Sequence, residues 1–470
     1  MTTAGRVVGT SLLVVVLTVG AYATADAYDV VPGLVTLAPE PAQPAPFPTA
    51  PGAVEPAALT PALADLDPQV PVPGNAQVQA LVDKLVADPR MGASVGILVQ
   101  DQLTGDTLAS HLPDEGRTPA STAKLVTAIA SLSTLSPDMT LPTTVVKGDG
   151  NRIVLVGGGD MMLAAGAGDP SATEGHAGLA DLAAQVAKAL QLAGATTVEL
   201  GVDDSLFTGP TLSPNWATSD IAAGFVAPVT ALAVDTAKIK AGEYPPRYAD
   251  PSIAAAKTFA ARLAEHGITV TGAPFRADKP SNGREIGKVE SATLDKIVHH
   301  FLDTSDNTIT EVVSRLVALK EGLPASFDGA SAAVLHAVDV AGVPTTGAHL
   351  VDASGLGAGS YLPPSLLTGL VRLSTDPAHP TLRDVATGMP IAGLTGTLSD
   401  RFTQSDARGM VRAKTGSLPH VTALSGTVLD AEQRQLVFAV LADATPDGGQ
   451  WNPRAAIDQF VSTLAACGCR

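Results

Sequence analysis

Three short segments constrain this chain more than any other feature: Ser121-Thr-Ala-Lys124, Ser305-Asp-Asn307 and Lys414-Thr-Gly416, in that order. No other lysine has a serine three residues before it, and no other Lys-Thr-Gly occurs. Ser213-Pro-Asn215 also fits Ser-x-Asn, but within what reads as a Pro-interrupted loop, so the ordered set carries the argument and a single triplet does not. Between Ser121 and Ser305 lie 305 − 121 = 184 positions, more than an ordinary connection needs, which implies an inserted domain. The length of 470 residues likewise asks for two or more domains.

Hydrophobic residues make up 45% of the chain, enough for globular folding, and a net charge of −17 with no basic run excludes a nucleic-acid partner. Arg6 followed by an apolar run over residues 7–25 has the layout of a secretory signal or a membrane anchor, here assigned to residues 1–28. An extracytoplasmic location is therefore expected. Ala23-Thr-Ala25 and Ala25-Asp-Ala27 offer small-residue cleavage sites, and no cysteine follows the run to carry a lipid. Residues 29–74, rich in Pro and Ala, read as an extended tether. Cys467 and Cys469, the only cysteines, cannot be a folding framework; pairing with each other, pairing with a partner and free thiols all stay open. The nine histidines have no metal-ligand spacing, and His299-His300 reads as a polar helix start or a packed pair, so no metal and no cofactor are assigned.

Apolar periodicity places a helix from Asn75 through Val78, Val82 and Leu85, then two strands joined by a turn at Gly105-Asp106. Leu125, Val126, Ile129 and Leu132 form a helical face, so Ser121 belongs at a helix amino terminus with Lys124 one turn along. The insert, residues 140–287, reads as an α/β unit: a strand at 153–156, a helix at 179–192, a strand at 197–202, a helix at 254–266 and a strand at 268–270. Residues 75–139 and 288–470 make up the other domain. In it Ser305-Asp-Asn307 joins two helices, segments at 411–416, 421–429 and 435–441 suit three adjacent antiparallel strands, and a last helix starts at Asn452-Pro453.

These residue types allow one chemistry. A serine hydroxyl attacks a carbonyl only if its proton is taken, and Lys124 is the candidate base; its ordinary pKa of about 10.4 must then fall by roughly three, through burial and the nearby Lys414 charge, the alternative being a Lys124 that stays protonated and shapes the field while another group relays the proton. Ser305 can pass a proton to a departing amine, and Asn307 can hold Lys124 with one end of its amide and the substrate with the other. Lys414 and Thr415 would meet a terminal carboxylate, Gly416 would keep the strand edge clear for a peptide, and the N–H groups of Ser121 and Ser417 would form an oxyanion hole.

Pro119-Ala-Ser-Thr-Ala-Lys-Leu-Val-Thr-Ala128, Asp352-Ala-Ser-Gly-Leu356, Gly396-Thr-Leu398 with Arg401-Phe402, and Arg412-Ala-Lys-Thr-Gly-Ser-Leu418 resemble the class C penicillin-binding proteins, the D-alanyl-D-alanine carboxypeptidase/endopeptidase family, over residues 75–465. The resemblance implies an α/β (α+β) chain: a transpeptidase- and β-lactamase-like domain with a central antiparallel sheet between helices, plus a smaller inserted α/β domain. It implies removal of terminal D-alanine from peptidoglycan stem peptides through a Ser121 ester, with cross-link cleavage as a related activity and β-lactams as inhibitors. Ser354, in the Asp-x-Ser-Gly-Leu stretch, is implied to bind substrate. Val202-Asp-Asp-Ser-Leu-Phe207 and Ala227-Pro-Val-Thr-Ala-Leu232 resemble parts of the family's insert, with Asp203 and Phe207 matching positions of a side-chain pocket.

Two departures stand out. Residues 238–248 replace a third small domain, and Gly357-Ala358 stands where the family often has an arginine for the diaminopimelate carboxylate. Two rival readings are a serine β-lactamase, for which the insert offers no Glu-x-x-Leu-Asn carboxylate, and a non-catalytic wall-binding protein, which has no physical need for Ser121 and Lys124 together.

Overall fold

The computed structural model describes residues 18–28, 30–31 and 67–468. The chain divides into two units, Met1–Ala64 and Asp65–Arg470. In the first, residues 18–27 are helical. No helix among the described residues is long and apolar enough to cross a membrane. The rest of the expected signal or anchor, most of the tether and Cys469 lie outside the described residues; Cys467 is disulfide-bonded.

In the second unit, residues 67–74 already belong to the folded body: Arg434 donates to the carbonyls of Pro68 and Val70 at 3.5 and 3.2 Å. Helix α1 (Asn75–Val86) follows, then β1 (Val95–Asp101) and β2 (Thr107–His111). A 3-10 turn (Ala120–Ala123) runs directly into α2 (Lys124–Thr134). The sequence suggests one apolar face for α2, yet every residue from Lys124 to Leu132 is buried. The helix is the centre of a core packed by α6 (Leu294–Thr304), α7 (Asn307–Lys320), α8 (Phe327–Val340), α9 (Pro364–Thr375) and α10 (Arg383–Gly388), all of which follow the three helices α3–α5 of the intervening segment. A helix buried all round carries small and apolar residues on every side, as Ala128, Ile129 and Ala130 do here.

The intervening residues build a sheet of their own. Its elements in chain order are β3 (Pro142–Lys147), β4 (Arg152–Gly157), β5 (Asp160–Leu163), α3 (Leu179–Leu192), β6 (Thr197–Asp203), α4 (Thr218–Ala222), β7 (Leu232–Val234), α5 (Pro251–Glu265), β8 (Thr269–Val270), β9 (Phe275–Arg276) and β10 (Arg284–Glu290). The order β10-β3-β4-β6-β8 is antiparallel at β10, β3 and β4 and parallel at β4, β6 and β8. Helices α3 and α5 cover it: Leu182, Val186 and Leu190 meet Phe259 and Leu263 over the strand residues Ile153, Leu155 and Leu200. Residues 238–248 form a short excursion closed by a Lys238–Arg247 bridge. Strand β10 is absent from the sequence reading because Arg284, Glu285, Lys288 and Glu290 make it polar, which suits an edge strand.

The remaining strands are β11 (Val411–Leu418), β12 (Val421–Leu429) and β13 (Gln435–Ala442), followed by α11 (Trp451–Ala465). With β1 and β2 they form a five-stranded antiparallel sheet in the order β11-β12-β13-β1-β2. Its two faces are both covered. Val437, Ala439 and Leu441 of β13 face the α2 core, while Leu436, Phe438 and Val440 face α1 and α11.

Strand β11 is an edge, and its register decides which groups stay open. The two-residue loop Pro419-His420 closes on the pair Leu418↔Val421, so the alternation of antiparallel bonds turns the N–H groups of Ala413, Thr415 and Ser417 away from β12. Consistent with this, Ala413 N donates to Pro390 O at 3.0 Å.

Two local expectations need correction. Helix α11 begins at Trp451 rather than at an Asn452 cap, and its N-cap Gln450 instead donates to Leu418 O at 2.6 Å. His299 and His300 lie late in α6, on the side away from the buried Leu294, Ile297, Val298 and Phe301, so they are neither a helix start nor a packed pair.

The first unit-wide tie is ionic. Arg434 grips Asp101 through Nε–Oδ2 at 2.5 Å and Nη2–Oδ1 at 2.9 Å, with both side chains buried. Burial pushes the Asp101 carboxyl up, but the guanidinium bonds and charge together with the bond from Thr104 N at 2.8 Å outweigh it and hold the pKa below the usual range. A depressed carboxylate pKa gives stability that is present above the unfolded value and lost as the pH falls through the folded one. Replacing Asp101 by Asn leaves Arg434 uncompensated, and denaturant melts at pH 7 should show a loss of about 3 kcal/mol or more. A loss below about 1 kcal/mol would refute the importance given to this pair.

Candidate active site

Ser121 sits in the 3-10 turn, partly exposed, with Lys124 as its C-cap. Sequence spacing alone places the pair one α-turn apart. The 3-10 geometry does better, because three residues per turn set positions i and i+3 directly over one another. Ala120 holds φ at +46°, and Gly355 packs so closely on this turn that a Cβ there would come within 1.9 Å of Ala120 O.

Lys124 is fully buried and bonds to three groups: Ser121 Oγ at 2.8 Å, Asn307 Oδ1 at 2.6 Å and Ser354 O at 2.9 Å. Two of these are carbonyl oxygens and can only accept. When the amine is neutral its lone pair therefore has one partner able to donate, the Ser121 hydroxyl. Burial lowers the Lys124 pKa to about 8, against the opposing charges of Asp352, Glu311 and Asp306.

The repulsion expected from Lys414 falls on Lys414 instead. That side chain is wholly buried and its pKa is driven well below the usual lysine range by burial and then by Lys124, with Asp303 opposing. Its Nζ donates to Thr415 O at 3.3 Å, and the Thr415 hydroxyl bonds to that of Thr397 at 2.8 Å. Gly416 has a different purpose from the one expected: a Cβ there would lie 2.5 Å from Pro119 O and 3.3 Å from the Ala120 Cβ. It lets β11 approach the turn that carries Ser121, rather than clearing space for a peptide. Ser417 Oγ accepts from Arg454 Nη2 at 2.8 Å, and its N–H lies on the open edge.

Ser305 closes α6 in a left-handed conformation, φ +61°, and the helix cap is its neighbour Asp306, whose Oδ1 accepts from Ile309 N at 2.8 Å. The Ser305 hydroxyl takes none of the three Lys124 bonds. Asn307 holds Lys124 as expected, and its Nδ2 gives one of its two N–H groups to Phe225 O at 2.9 Å, leaving the other to donate. Ser354 also departs from expectation. Its side chain is buried, and its carbonyl is what reaches Lys124.

Two buried acids hold that carbonyl in place. Glu311 accepts from Ala353 N at 3.1 Å and Ser354 N at 2.8 Å, and Asp352 accepts from Gly355 N, Gly357 N and Trp216 Nε1 at 2.7, 2.6 and 2.7 Å. Burial, then the Asp352 charge, pushes the Glu311 carboxyl up to about 8. Glu311 was readable in the sequence as a lone acid four residues after Asn307, on a helix otherwise apolar there. A Cβ at Gly357 would be extended into Asp352 Oδ2 at 2.8 Å and Asn215 at 3.1 Å, so that position has no room for a cationic side chain. Ser213-Pro-Asn215 is a loop that braces this region, with Asn215 O accepting from Ala358 N at 3.3 Å.

Asp203 and Phe207 are not joined to this cluster by any described bond. Asp203 accepts from Ser205 N and Lys279 N at 3.0 and 2.6 Å. The Phe207 ring lies 5.6 Å from the buried Arg315 guanidinium, which also covers Phe327 at 4.5 Å.

The sequence profile of the D-Ala-D-Ala carboxypeptidase 3 (S13) family matches residues 78–247 and 243–464. The chain is 36% identical over 407 residues to a carboxypeptidase of Mycobacterium tuberculosis, covering 84% of this chain and 85% of that one. It is 35% identical over 418 residues to carboxypeptidase DacB of Mycolicibacterium smegmatis, covering 87% and 88%. Penicillin binding protein 4 from Haemophilus influenzae has the same fold, with a TM-score of 0.69 at 21% identity over 82% of this chain and 98% of that one. A serine bonded to a buried lysine in this fold and the profile match over most of the chain lead to one assignment: the chain belongs to the D-Ala-D-Ala carboxypeptidase 3 (S13) family, whose members are serine-type carboxypeptidases.

Proposed function

We propose that this carboxypeptidase acts outside the cytoplasm on peptidoglycan stem peptides, with Ser121 as nucleophile and Lys124 as its general base. The observation that carries the reading is the Lys124 bond set, in which Ser121 is the one proton donor available to the neutral amine. Ser121 Oγ attacks the penultimate D-alanine carbonyl as its proton passes to Lys124 Nζ. The oxyanion forms between the N–H groups of Ser121 and Ser417. The tetrahedral species then collapses: the C–N bond breaks, the departing D-alanine amine takes a proton relayed from Lys124 through Ser305, and an ester on Ser121 remains. Water attacks that ester with Lys124 again accepting a proton; the C–O bond to Ser121 then breaks, Lys124 returns the proton to Ser121 Oγ, and the acid product leaves. A cross-linked stem offers a different leaving amine to the same ester chemistry.

β-Lactams follow the first half of this path. The second half is slow for them, because the amine released by ring opening stays tethered to the acyl group and remains where water must approach, and Glu311 and Asp352, bonded to backbone N–H groups, supply no additional base for that water. Intact-mass spectrometry of the chain with benzylpenicillin should therefore show a one-to-one adduct lasting hours, absent in Ser121→Ala. Rapid penicillin loss without an adduct would support a β-lactamase, and neither adduct nor turnover would support a wall-binding protein.

The acylation rate should rise with pH, reach half its maximum near pH 8 and level off above about pH 9. The active form is the neutral amine, and with a pKa of about 8 roughly a tenth of Lys124 is neutral at pH 7. Lys124→Ala should abolish acylation; near-wild-type acylation in that variant, or a flat profile from pH 6 to 9 in the wild type, would remove Lys124 from the role of base.

Gly416→Ala tests the close approach of β11. Its new methyl meets Pro119 O, and a shift of even about 1 Å between Ser121 and Ser417 should slow acylation about a hundredfold. Stopped-flow acylation within threefold of wild type would show that the strand spacing is unimportant.

A further inference from the structure

The side chain expected to meet the substrate's terminal carboxylate, Lys414, is poorly placed for it. It is wholly buried, donates to the carbonyl of Thr415, and faces Lys124 across the strand.

The opposite face of β11 offers another cation. Val411 and Ala413 point into the core shared with α1 and α11, so Thr415 and Ser417, two and four residues beyond Ala413, present their side chains on that same face. There Arg454, in the first turn of α11, donates from Nη2 to Ser417 Oγ at 2.8 Å. Arg454 is half-buried, and no carboxylate among the described residues is ion-paired with it. The acid one turn along, Asp458, is taken by Arg401 through bonds from Nε at 3.1 and 3.2 Å and a further one from Nη2. Arg454 Nε is buried without a hydrogen-bond partner. Asp400 and Asp458 lie close enough for their charges to act on it, but neither is bonded to it, and a partly desolvated guanidinium with no bonded carboxylate gains more from an anion than an exposed one does.

Ser417 supplies the link to the substrate edge. Its oxygen accepts from Arg454, which leaves its O–H to donate, and its N–H lies on the open side of β11. A peptide lying antiparallel along that edge, with its reactive carbonyl at the Ser417 N–H, runs onward towards Thr415. Its terminal carboxylate then comes over the hydroxyls of Thr415 and Ser417, within the field of Arg454.

We infer that Arg454 is the cation that selects substrates ending in a free carboxylate, acting together with the hydroxyls of Ser417 and Thr415. The inference rests on the carboxypeptidase reading above and adds the residue that recognises the end of the peptide. Lys414, on the other face of the strand, then serves the chemistry around Lys124 and not the recognition.

The test uses the full chain and two substrates, an acyl tripeptide ending in D-Ala-D-Ala and the same peptide with its C-terminus amidated. The readout is the ratio of kcat/KM for the acid over the amide. The wild type should favour the acid, and Arg454→Ala should lower the ratio about tenfold to a hundredfold, the range expected for a lost charge-assisted hydrogen bond. Arg454→Lys should keep part of the preference, and Ser417→Ala should lose part of it. Parallel loss on both substrates in Arg454→Ala would mean a structural role and would overturn the inference, as would an unchanged ratio. A wild type that cleaves acid and amide equally would also overturn it while leaving the carboxypeptidase standing. A wild type that releases an amine from neither peptide would sink both.

Discussion

Everything in this site hangs on how one buried ammonium is divided among three acceptors. Lys124 reaches Ser121 in its own turn, Asn307 at the start of α7 and the Ser354 carbonyl in the loop after α8. Those partners come from three separate stretches of chain, so the bonds that prepare the nucleophile also pin the helical core to the turn in front of the sheet. Removing an amine from water is costly, and the three bonds are the compensation. The acids nearby set a limit on that cost: they hold the pKa near 8, where a base is partly neutral yet still strongly basic.

Glu311 and Asp352 show how a loop is made rigid with little hydrophobic help. Between them they accept bonds from the N–H groups of residues 353, 354, 355 and 357, so nearly every amide of the loop that carries the Ser354 carbonyl is fixed by a carboxylate. Burial and then the repulsion between the two acids push the Glu311 carboxyl up to about 8. The arrangement makes the loop a rigid abutment, against which Lys124 is held in a single rotamer.

How much of this was legible depended on which kind of atom did the work. Helix α3 could be bounded at 179–192 because its apolar residues recur at 3.6, and the last three strands could be read from their β-branched runs. The three motifs announced Ser121, Lys124 and Asn307 through side chains whose chemistry is unusual. The 3-10 form of the first turn was not readable, since Ala120 to Ala123 carry no residue that distinguishes it from an α-turn. Backbone contributors were invisible for the same reason: the carbonyls of Ser354 and Phe225 are shared by every residue type. Arg454 carries a distinctive charge, but only the fold brings the last helix beside the edge strand.

The bond from Asn307 to the Phe225 carbonyl deserves a different reading when the order of synthesis is considered. Phe225 belongs to the long segment between the first two motifs, so the orientation of Asn307, and through it the poise of the base, depends on a stretch that makes no covalent chemistry of its own. Chain that has emerged as far as Lys124 holds the nucleophile and its base but neither of the acceptors that anchor the amine. The hydrolase therefore becomes competent only when the intervening segment has folded and both flanks have closed on it. For a carboxypeptidase, assembly itself then acts as the safety catch.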